Sequence, residues 1–172
     1  MIYSLEIKNL LTERLTLIPV TFSILKDISN GGKSELEKIG IYTDGKWPTK
    51  DTKDIIPIIL KEMEKTKTPS GFEFWIVVRN EDKKILGDIG FHGKPDEEGF
   101  VEVGYGLVED ERGKGYGFEA LNAIISWAKS HPDVKTIKAE CLLDNFPSIR
   151  ILEKVGMKEV GRDDKHIYWR NR

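Results

Sequence analysis

The apolar residues of the chain change between helical and alternating spacing, and these changes predict the order of its elements. The N-terminal part predicts a strand followed by three helices: a strand over 14–19, helices that begin at Thr21 and Ser34, and a helix within 51–65. Pro57 interrupts the last pattern, so this helix is expected to begin near Asp54 or to bend at the proline.

The rest of the chain is dominated by strand patterns. They predict strands over residues 72–78, 84–91, 100–108, 135–143, 157–161 and 166–170. Between them lie a helix that ends near Ser130, ahead of Pro132, and a short helix that Asn145 caps and Gly156 ends. This order predicts a mixed α/β sheet with helices on its faces.

The composition is that of an ordinary folded domain. The chain has 172 residues, of which 39% are hydrophobic and 33% are charged, and its net charge is −2. Neither a repeat nor a linker divides it, so residues 1–172 are expected to form a single domain. A general nucleic-acid-binding protein would usually be basic, so we do not expect nucleic acid as a partner.

The sequence gives little support for a metal site, a disulfide or a membrane-spanning segment. Cys141 is the single cysteine, and the three histidines lack partners at ligand spacing, so no metal site is expected. No apolar run reaches the roughly 18 residues of a membrane span. Residues 1–10 lack a basic stretch followed by an apolar core, so no secretory signal is expected. We therefore expect a soluble, cytoplasmic protein without a membrane partner.

The long helix follows a glycine-rich turn, Arg112-Gly113-Lys114-Gly115-Tyr116-Gly117. A helix start presents unpaired N–H groups, and glycines allow a phosphate to approach the backbone. Arg112 and Lys114 add positive charge, so the turn is expected to hold a diphosphate. The alternative is a tight strand-to-helix turn without a ligand. The spacing does not fit a dinucleotide fingerprint, which needs G-x-G-x-x-G.

Four segments of the sequence resemble one enzyme family. The pattern Arg112-x-x-Gly115-x-Gly117 is similar to the coenzyme A loop of the GNAT acetyltransferases, and residues 145–157 resemble that family's N-x-x-S and LEK-x-G segment. Residues 101–105 and 12–17 resemble its RimJ/RimL-type branch, which acetylates protein amino termini.

The resemblance implies a fold. It is the GNAT fold, a mixed and mostly antiparallel sheet of about seven strands with helices on both faces. The fourth and fifth strands, 100–108 and 135–143, would splay apart to admit the pantetheine arm of coenzyme A.

The same resemblance implies acetyl-CoA as the cosubstrate. The backbone groups of Leu107 and Val108 would bind the pantetheine amides, as an added strand would. Asn145 matches the family asparagine near the pantetheine or the acceptor. The diphosphate would be held by the residues of the turn: Arg112, Gly113, Lys114, Gly115, Tyr116 and Gly117.

Acetyl transfer to an amine needs a neutral amine and a stabilised oxyanion. Glu102 matches the carboxylate that several family members use as base, and strand alternation turns it away from Val101 and Val103. A solvated strand carboxylate is the alternative, and His92 is a secondary candidate as proton acceptor. A backbone N–H, that of Leu107, would polarise the thioester carbonyl.

The leaving thiolate also needs stabilisation, and here the sequence departs from the family. The tyrosine that many members carry after the asparagine falls on Leu152. Ser148 matches a serine proposed for this role in the RimJ/RimL-type branch, and the alternative is an ordinary helix-start serine. Tyr105 and Tyr116 are weaker candidates, because aromatic residues at such positions usually pack in a core.

The acceptor is expected beside Trp47, Trp75 and Phe91. The resemblance implies a primary amine that attacks acetyl-CoA directly in a ternary complex, and the branch favours a protein amino terminus. A small amine such as a polyamine, amino acid or antibiotic is the alternative, and a non-catalytic acyl-CoA sensor is a third hypothesis. The resemblance also allows a homodimer.

Overall fold

The computed structural model describes residues 7–171, which build one sheet of eight strands. The strands are β1 (Leu10–Leu11), β2 (Leu15–Pro19), β3 (Phe74–Arg79), β4 (Ile85–Phe91), β5 (Phe100–Leu107), β6 (Thr136–Leu142), β7 (Lys158–Arg162) and β8 (His166–Asn171). The short strand β1 is the one that the apolar pattern does not predict. The absence of a signal sequence was predicted from residues 1–10, of which 1–6 lie outside the described residues.

Five α-helices are present among the described residues: α1 (Phe22–Ser29), α2 (Ser34–Lys38), α3 (Lys50–Met63), α4 (Tyr116–Ser130) and α5 (Phe146–Lys154). A 3₁₀ turn, Glu109–Glu111, joins β5 to the glycine-rich turn. The predicted caps are confirmed, because Thr21 accepts a hydrogen bond from the N–H of Ile24 and Asn145 from that of Ser148. Gly156 has φ +90°, as expected of a left-handed helix stop.

Helix α3 begins at Lys50 and runs through Pro57, so the helical spacing over 51–65 is confirmed and the alternative start near Asp54 is not. The side chain of Thr49 accepts a hydrogen bond from the N–H of Thr52 at 3.3 Å, and this cap sets the start of the helix. Ile56 and Met63 are buried on its core side, and this burial holds the helix together across the proline.

The order of strands in the sheet is β1-β2-β3-β4-β5-β6-β8-β7. Every neighbouring pair is antiparallel except β5 and β6, which are parallel. The prediction of a mixed, mostly antiparallel sheet is therefore confirmed.

The sheet opens between β5 and β6. Their register contains three pairs, Phe100 with Thr136, Val101 with Ile137 and Glu102 with Lys138. Beyond Glu102 the two strands separate, so residues 103–107 of β5 have a strand partner only on the β4 side.

Two apolar cores cover the two faces of the sheet. Strand β3 contributes to both, because Trp75 and Val77 belong to the core that includes α4, whereas Phe74 and Ile76 belong to the core that includes α1 and α3. A strand buried on both faces is continuously apolar, as this one is. No helix among residues 7–171 is long and apolar enough to cross a membrane.

Candidate active site

Two adjoining cavities meet at the free end of β5. The first, of about 650 Å³, lies against α3 and is called the α3 cavity. The second, of about 470 Å³, lies against the glycine-rich turn and α5 and is called the loop cavity. Both are lined by Tyr105, Gly106, Leu107 and Arg112. A ligand in one cavity can therefore reach a ligand in the other beside these residues.

The backbone at the end of β5 is directed into the gap between β5 and β6. The N–H of Val108 donates to the carbonyl of Leu86 at 2.8 Å, which makes these two residues a hydrogen-bonded antiparallel pair. Hydrogen-bonded and non-hydrogen-bonded pairs alternate along such strands, so Leu107, opposite Gly87, turns its N–H and C=O away from β4. The backbone of Leu107, which was predicted to bind the cofactor, is therefore free of β4.

Val108, predicted to bind the cofactor together with Leu107, occupies a different environment. Its N–H is already engaged by Leu86, its side chain is buried, and it lines neither cavity.

The glycine-rich turn has the backbone of an anion site. Gly113 and Gly115 have φ values of +76° and +87°, a region that favours glycine. Gly115 is the N-cap of α4 and supplies no capping side chain, so the first N–H groups of α4 receive no side-chain acceptor there. The loop cavity is lined by Arg112, Gly113, Gly115 and Gly117. The turn can therefore present backbone donors and one guanidinium to an anionic group.

Lys114 and Tyr116 were predicted to bind the cofactor with these residues, but neither lines the loop cavity. The Nζ atom of Lys114 lies 3.1 Å from Glu111, whose carboxylate competes for its charge. Tyr116 is buried, and the Arg14 guanidinium stacks 4.4 Å above its ring. Both residues stabilise the turn, Lys114 through its contact with Glu111 and Tyr116 through its contact with Arg14.

Glu111 forms ion pairs with three basic side chains close to the glycine-rich turn. Its carboxylate lies 3.0 Å from Arg79, 3.2 Å from Lys84 and 3.1 Å from Lys114. Burial raises the pKa of this carboxyl, but the hydrogen bonds from Lys114 and Lys84 and the charge of Arg79 outweigh it, and the pKa lies below its ordinary value. The sequence showed Glu111 only as one member of an acidic run, so this role was missed.

Arg14 fixes the turn from the other end of the chain. Its Nη1 donates to the carbonyl of Lys114 at 3.0 Å, and its Nε donates to Glu119 on α4 at 2.8 Å. The bend that precedes β2 thereby holds the start of α4, through a contact that no local pattern could have revealed.

Glu102 and His92 form a pair at the edge of the α3 cavity. The N–H of His92 donates to the carbonyl of Glu102, and the Nδ1 atom lies 2.9 Å from the Glu102 carboxylate. The hydrogen bond to Glu102 raises the pKa of His92 against an opposing effect of burial, and the same bond lowers the pKa of Glu102. His92 lines the cavity and Glu102 does not, so the imidazole is the nearer of the two to an acceptor.

Tyr105, which lines both cavities, forms a second pair with Ser148, which lines the loop cavity. The phenol oxygen of Tyr105 lies 2.6 Å from the Ser148 hydroxyl, and Ser148 lies in the first turn of α5 beside Asn145. Both Asn145 and Ser148 line the loop cavity, whereas Leu152 is fully buried in the core. Burial raises the pKa of Tyr105 to about 12.

Of the three predicted acceptor residues, only Phe91 lines the α3 cavity. Trp47 is buried and its indole N–H donates to Asp88 at 2.9 Å; Trp75 is buried and donates to the carbonyl of Gly71 at 2.8 Å. The two tryptophans are therefore core residues, each with the partner that a buried indole requires. Sequence reasoning could not separate the two roles because both suit a large aromatic side chain.

The α3 cavity combines apolar walls with carboxylates. Its apolar lining includes Ile55, Ile58, Ile59, Phe74 and Ile89. Four carboxylates also line it, those of Asp51, Glu62, Glu73 and Asp88. Among these, Asp88 is buried, accepts hydrogen bonds from Trp47 and Thr52, and has a pKa raised by its burial. The lining suits an amine attached to an apolar body.

The sheet thus splays beside a glycine-rich helix start, and a second cavity lies at the same strand end. Residues 14–158 match the family model described as the Acetyltransferase (GNAT) domain. The chain belongs to the GNAT acetyltransferase family.

Similar proteins agree with this assignment. The chain is 34% identical over 158 residues to the uncharacterized N-acetyltransferase YjdG of Bacillus subtilis, covering 92% of this chain and 94% of the relative. Its fold is similar to that of the ribosomal-protein-S5-alanine acetyltransferase of Vibrio fischeri, with TM-score 0.68, 19% identity and 96% of each chain covered. It is also similar to the microcin C7 self immunity acetyltransferase MccE in complex with acetyl-CoA and AMP, with TM-score 0.64, 16% identity and 93% of each chain covered.

Proposed function

We propose that this GNAT acetyltransferase transfers an acetyl group from acetyl-CoA to a primary amine by direct attack in a ternary complex. The observation that carries the proposal is the meeting of two cavities at Tyr105–Leu107. One cavity offers backbone donors and Arg112 for a diphosphate, and the other offers an apolar wall with carboxylates. Two substrates can therefore bind together with their reactive ends at one strand end.

The donor would bind along the loop cavity. N–H groups of the turn and the Arg112 guanidinium would bind the diphosphate, and the backbone of Leu107 at the open edge of β5 would bind the pantetheine. Arg112 Nε donates to the Leu107 carbonyl at 3.2 Å, so the pantetheine amide would compete with Arg112 for that acceptor. Asn145 borders the same path.

The acceptor would approach from the α3 cavity and lose a proton near His92. A protein amino-terminal ammonium has a pKa of about 7.7–8.0 and an alkylammonium one of about 10.4, so at neutral pH either amine is mostly protonated and needs a proton acceptor. We assign His92 as that proton acceptor. Glu102, the predicted base, is then the carboxylate that orients the His92 ring and raises the basicity of His92. The N–H of Leu107 would stabilise the oxyanion.

For the acceptor itself we favour a protein amino-terminal amine. The resemblance of residues 101–105 and 12–17 to the RimJ/RimL-type branch supports this choice. A small-molecule amine is the second candidate, because the α3 cavity, at about 650 Å³, has the size of an ordinary small-ligand site.

The proposal is tested by thiol release from acetyl-CoA in the presence of amino-terminal peptides and of small amines, with mass spectrometry of the acceptors. We expect amine-dependent release and an acceptor heavier by one acetyl group. Tight binding of acetyl-CoA with no release for any acceptor would instead indicate an acyl-CoA sensor. Absence of coenzyme A binding in calorimetry would contradict the proposal itself.

The His92–Glu102 pair predicts a particular pH dependence. We expect His92→Gln to lower kcat/KM at neutral pH by about 10- to 100-fold, because a general base is lost. The loss should shrink at high pH, where the amine deprotonates without help. Glu102→Gln should have a smaller effect and should move the acid limb of the profile to lower pH, since His92 loses the partner that raises its pKa.

The measurement is kcat/KM against pH for both variants, with His166→Gln as the control. His166 lies on β8 and lines neither cavity, so its variant should follow the wild-type profile. An acid limb that stays in place in Glu102→Gln would show that His92 is not the group that titrates.

A further inference from the structure

The thiolate that leaves coenzyme A must be stabilised by something other than the residue at position 152. Leu152 is fully buried and has no polar atom on its side chain, and it packs in the core between the sheet and α4. Tyr105 lines both cavities, and its hydroxyl lies 2.6 Å from that of Ser148, which lines the loop cavity.

We propose that the Tyr105 hydroxyl is the catalytic group that donates a hydrogen bond to the departing thiolate, and that Ser148 is a positioning residue which acts through Tyr105. This inference rests on the proposed function, because it assigns a role within the same reaction. It departs from the expectation that Ser148 itself serves the leaving group.

The position of Tyr105 supports this assignment. It lies opposite Ile89, two residues before Leu107, and lines both cavities, whereas Ser148 lines only the loop cavity. The sulfur must lie where donor and acceptor meet, because the amine attacks the carbon bonded to it. Tyr105 therefore borders the reacting atoms from both sides, while Ser148 borders only the donor.

The contact with Ser148 gives the phenol a defined orientation. Asn145 accepts a hydrogen bond from the N–H of Ser148, which anchors the serine in the first turn of α5. When Tyr105 donates its O–H to sulfur, the Ser148 hydroxyl can donate to the phenol oxygen, and hydrogen bonds in such a chain strengthen one another.

The chemistry balances without full proton transfer from tyrosine. The amine nitrogen forms a bond to the acetyl carbon, the carbon–sulfur bond breaks, and the electron pair goes to sulfur. The nitrogen loses two protons in all, one from the ammonium before attack and one from the tetrahedral adduct, and both pass through His92 to solvent. A phenol is a weaker acid than a thiol, so Tyr105 keeps its proton and stabilises the thiolate by a hydrogen bond, and the thiolate takes its proton from solvent after release.

The test compares acetyl-CoA with its selenoester analogue, acetyl-seleno-CoA, for wild type and Tyr105→Phe. We expect the variant to lose about 100-fold in kcat with the thioester, which is the lower end of the range for one lost transition-state donor. The loss should be at least severalfold smaller with the selenoester, because a selenolate is less basic and needs less stabilisation. Tyr168→Phe is the control, since Tyr168 lies on β8 and lines neither cavity.

Ser148→Ala provides an independent second variant. Its loss in kcat should be smaller than that of Tyr105→Phe, should also shrink with the selenoester, and should add little in the double variant, because both residues act as a unit. If Tyr105→Phe does not fold, as judged by circular dichroism and coenzyme A affinity, equal losses of Ser148→Ala with the two donors would still overturn the proposal.

The outcomes distinguish a failure of the proposed function from a failure of the role assigned to Tyr105. A folded wild type that acetylates no amine contradicts the proposed function. An active wild type whose Tyr105→Phe variant keeps its kcat, or loses equally with both donors, overturns the role of Tyr105 and leaves the proposed function standing.

Discussion

Gly115→Val is expected to weaken coenzyme A binding by at least about 100-fold, which corresponds to roughly 2.7 kcal/mol. Gly115 has φ +87° at the N-cap of α4, a conformation that costs an L-residue about 1–2 kcal/mol and a β-branched residue more. Its Cβ would lie 3.1 Å from Nη2 of Arg14, the residue that holds the Lys114 carbonyl. The branched side chain would also narrow the loop cavity where we expect the diphosphate.

The measurement is isothermal titration calorimetry with coenzyme A, and the control is Gly156→Val. Gly156 has φ +90° at the end of α5, an added Cβ would meet no atom within 4 Å, and it lines neither cavity. The control should therefore suffer similar backbone strain and a similar loss of stability without a loss of affinity. Equal affinities for the two variants would show that the turn does not hold the cofactor.

Glu111→Gln is expected to lower the free energy of unfolding by about 2 kcal/mol, and Tm by roughly 6 °C. The substitution keeps the size of a side chain that is only 4% exposed, but it leaves Arg79, Lys84 and Lys114 without their shared anion. The expected loss in free energy of unfolding is smaller than that for a fully buried ion pair, because the Lys114 side chain is 50% exposed and its charge is partly screened by solvent.

The effect of Glu111→Gln should depend on pH. The pKa of Glu111 is lower in the folded state than in the unfolded state, so its contribution is complete above the unfolded pKa and is lost as the pH falls through the folded pKa. The difference between wild type and variant should therefore narrow in acid.

Denaturant titrations at neutral and acidic pH measure this difference. Glu109→Gln is the control, because Glu109 lies exposed in the same 3₁₀ turn and forms no side-chain contact with residues 7–171 through a hydrogen bond or ion pair. A stability difference that grows in acid, or one equal to that of the control, would contradict the role of Glu111.

Most elements of the fold were predictable because they depend on local patterns. Alternating or continuous apolar runs predicted β2 to β8 to within a few residues, and cap residues such as Thr21, Asn145 and Gly156 marked the helix ends. The sequence left open whether α3 begins near Asp54 or continues through Pro57, and the cap at Thr49 with the buried residues of α3 decides for the continuous helix.

In the candidate site, too, some features depend on the local sequence and others on tertiary contacts. The sequence by itself determined the glycine-rich turn, the cap at Asn145 and the outward side of Glu102, because backbone conformation and strand alternation depend on neighbours along the chain. Only the tertiary structure decided which side chains meet, as in His92 with Glu102, Tyr105 with Ser148, and Glu111 with its three cations. These contacts depend on strand register and helix packing, which bring together residues from separate elements that no spacing along the chain relates.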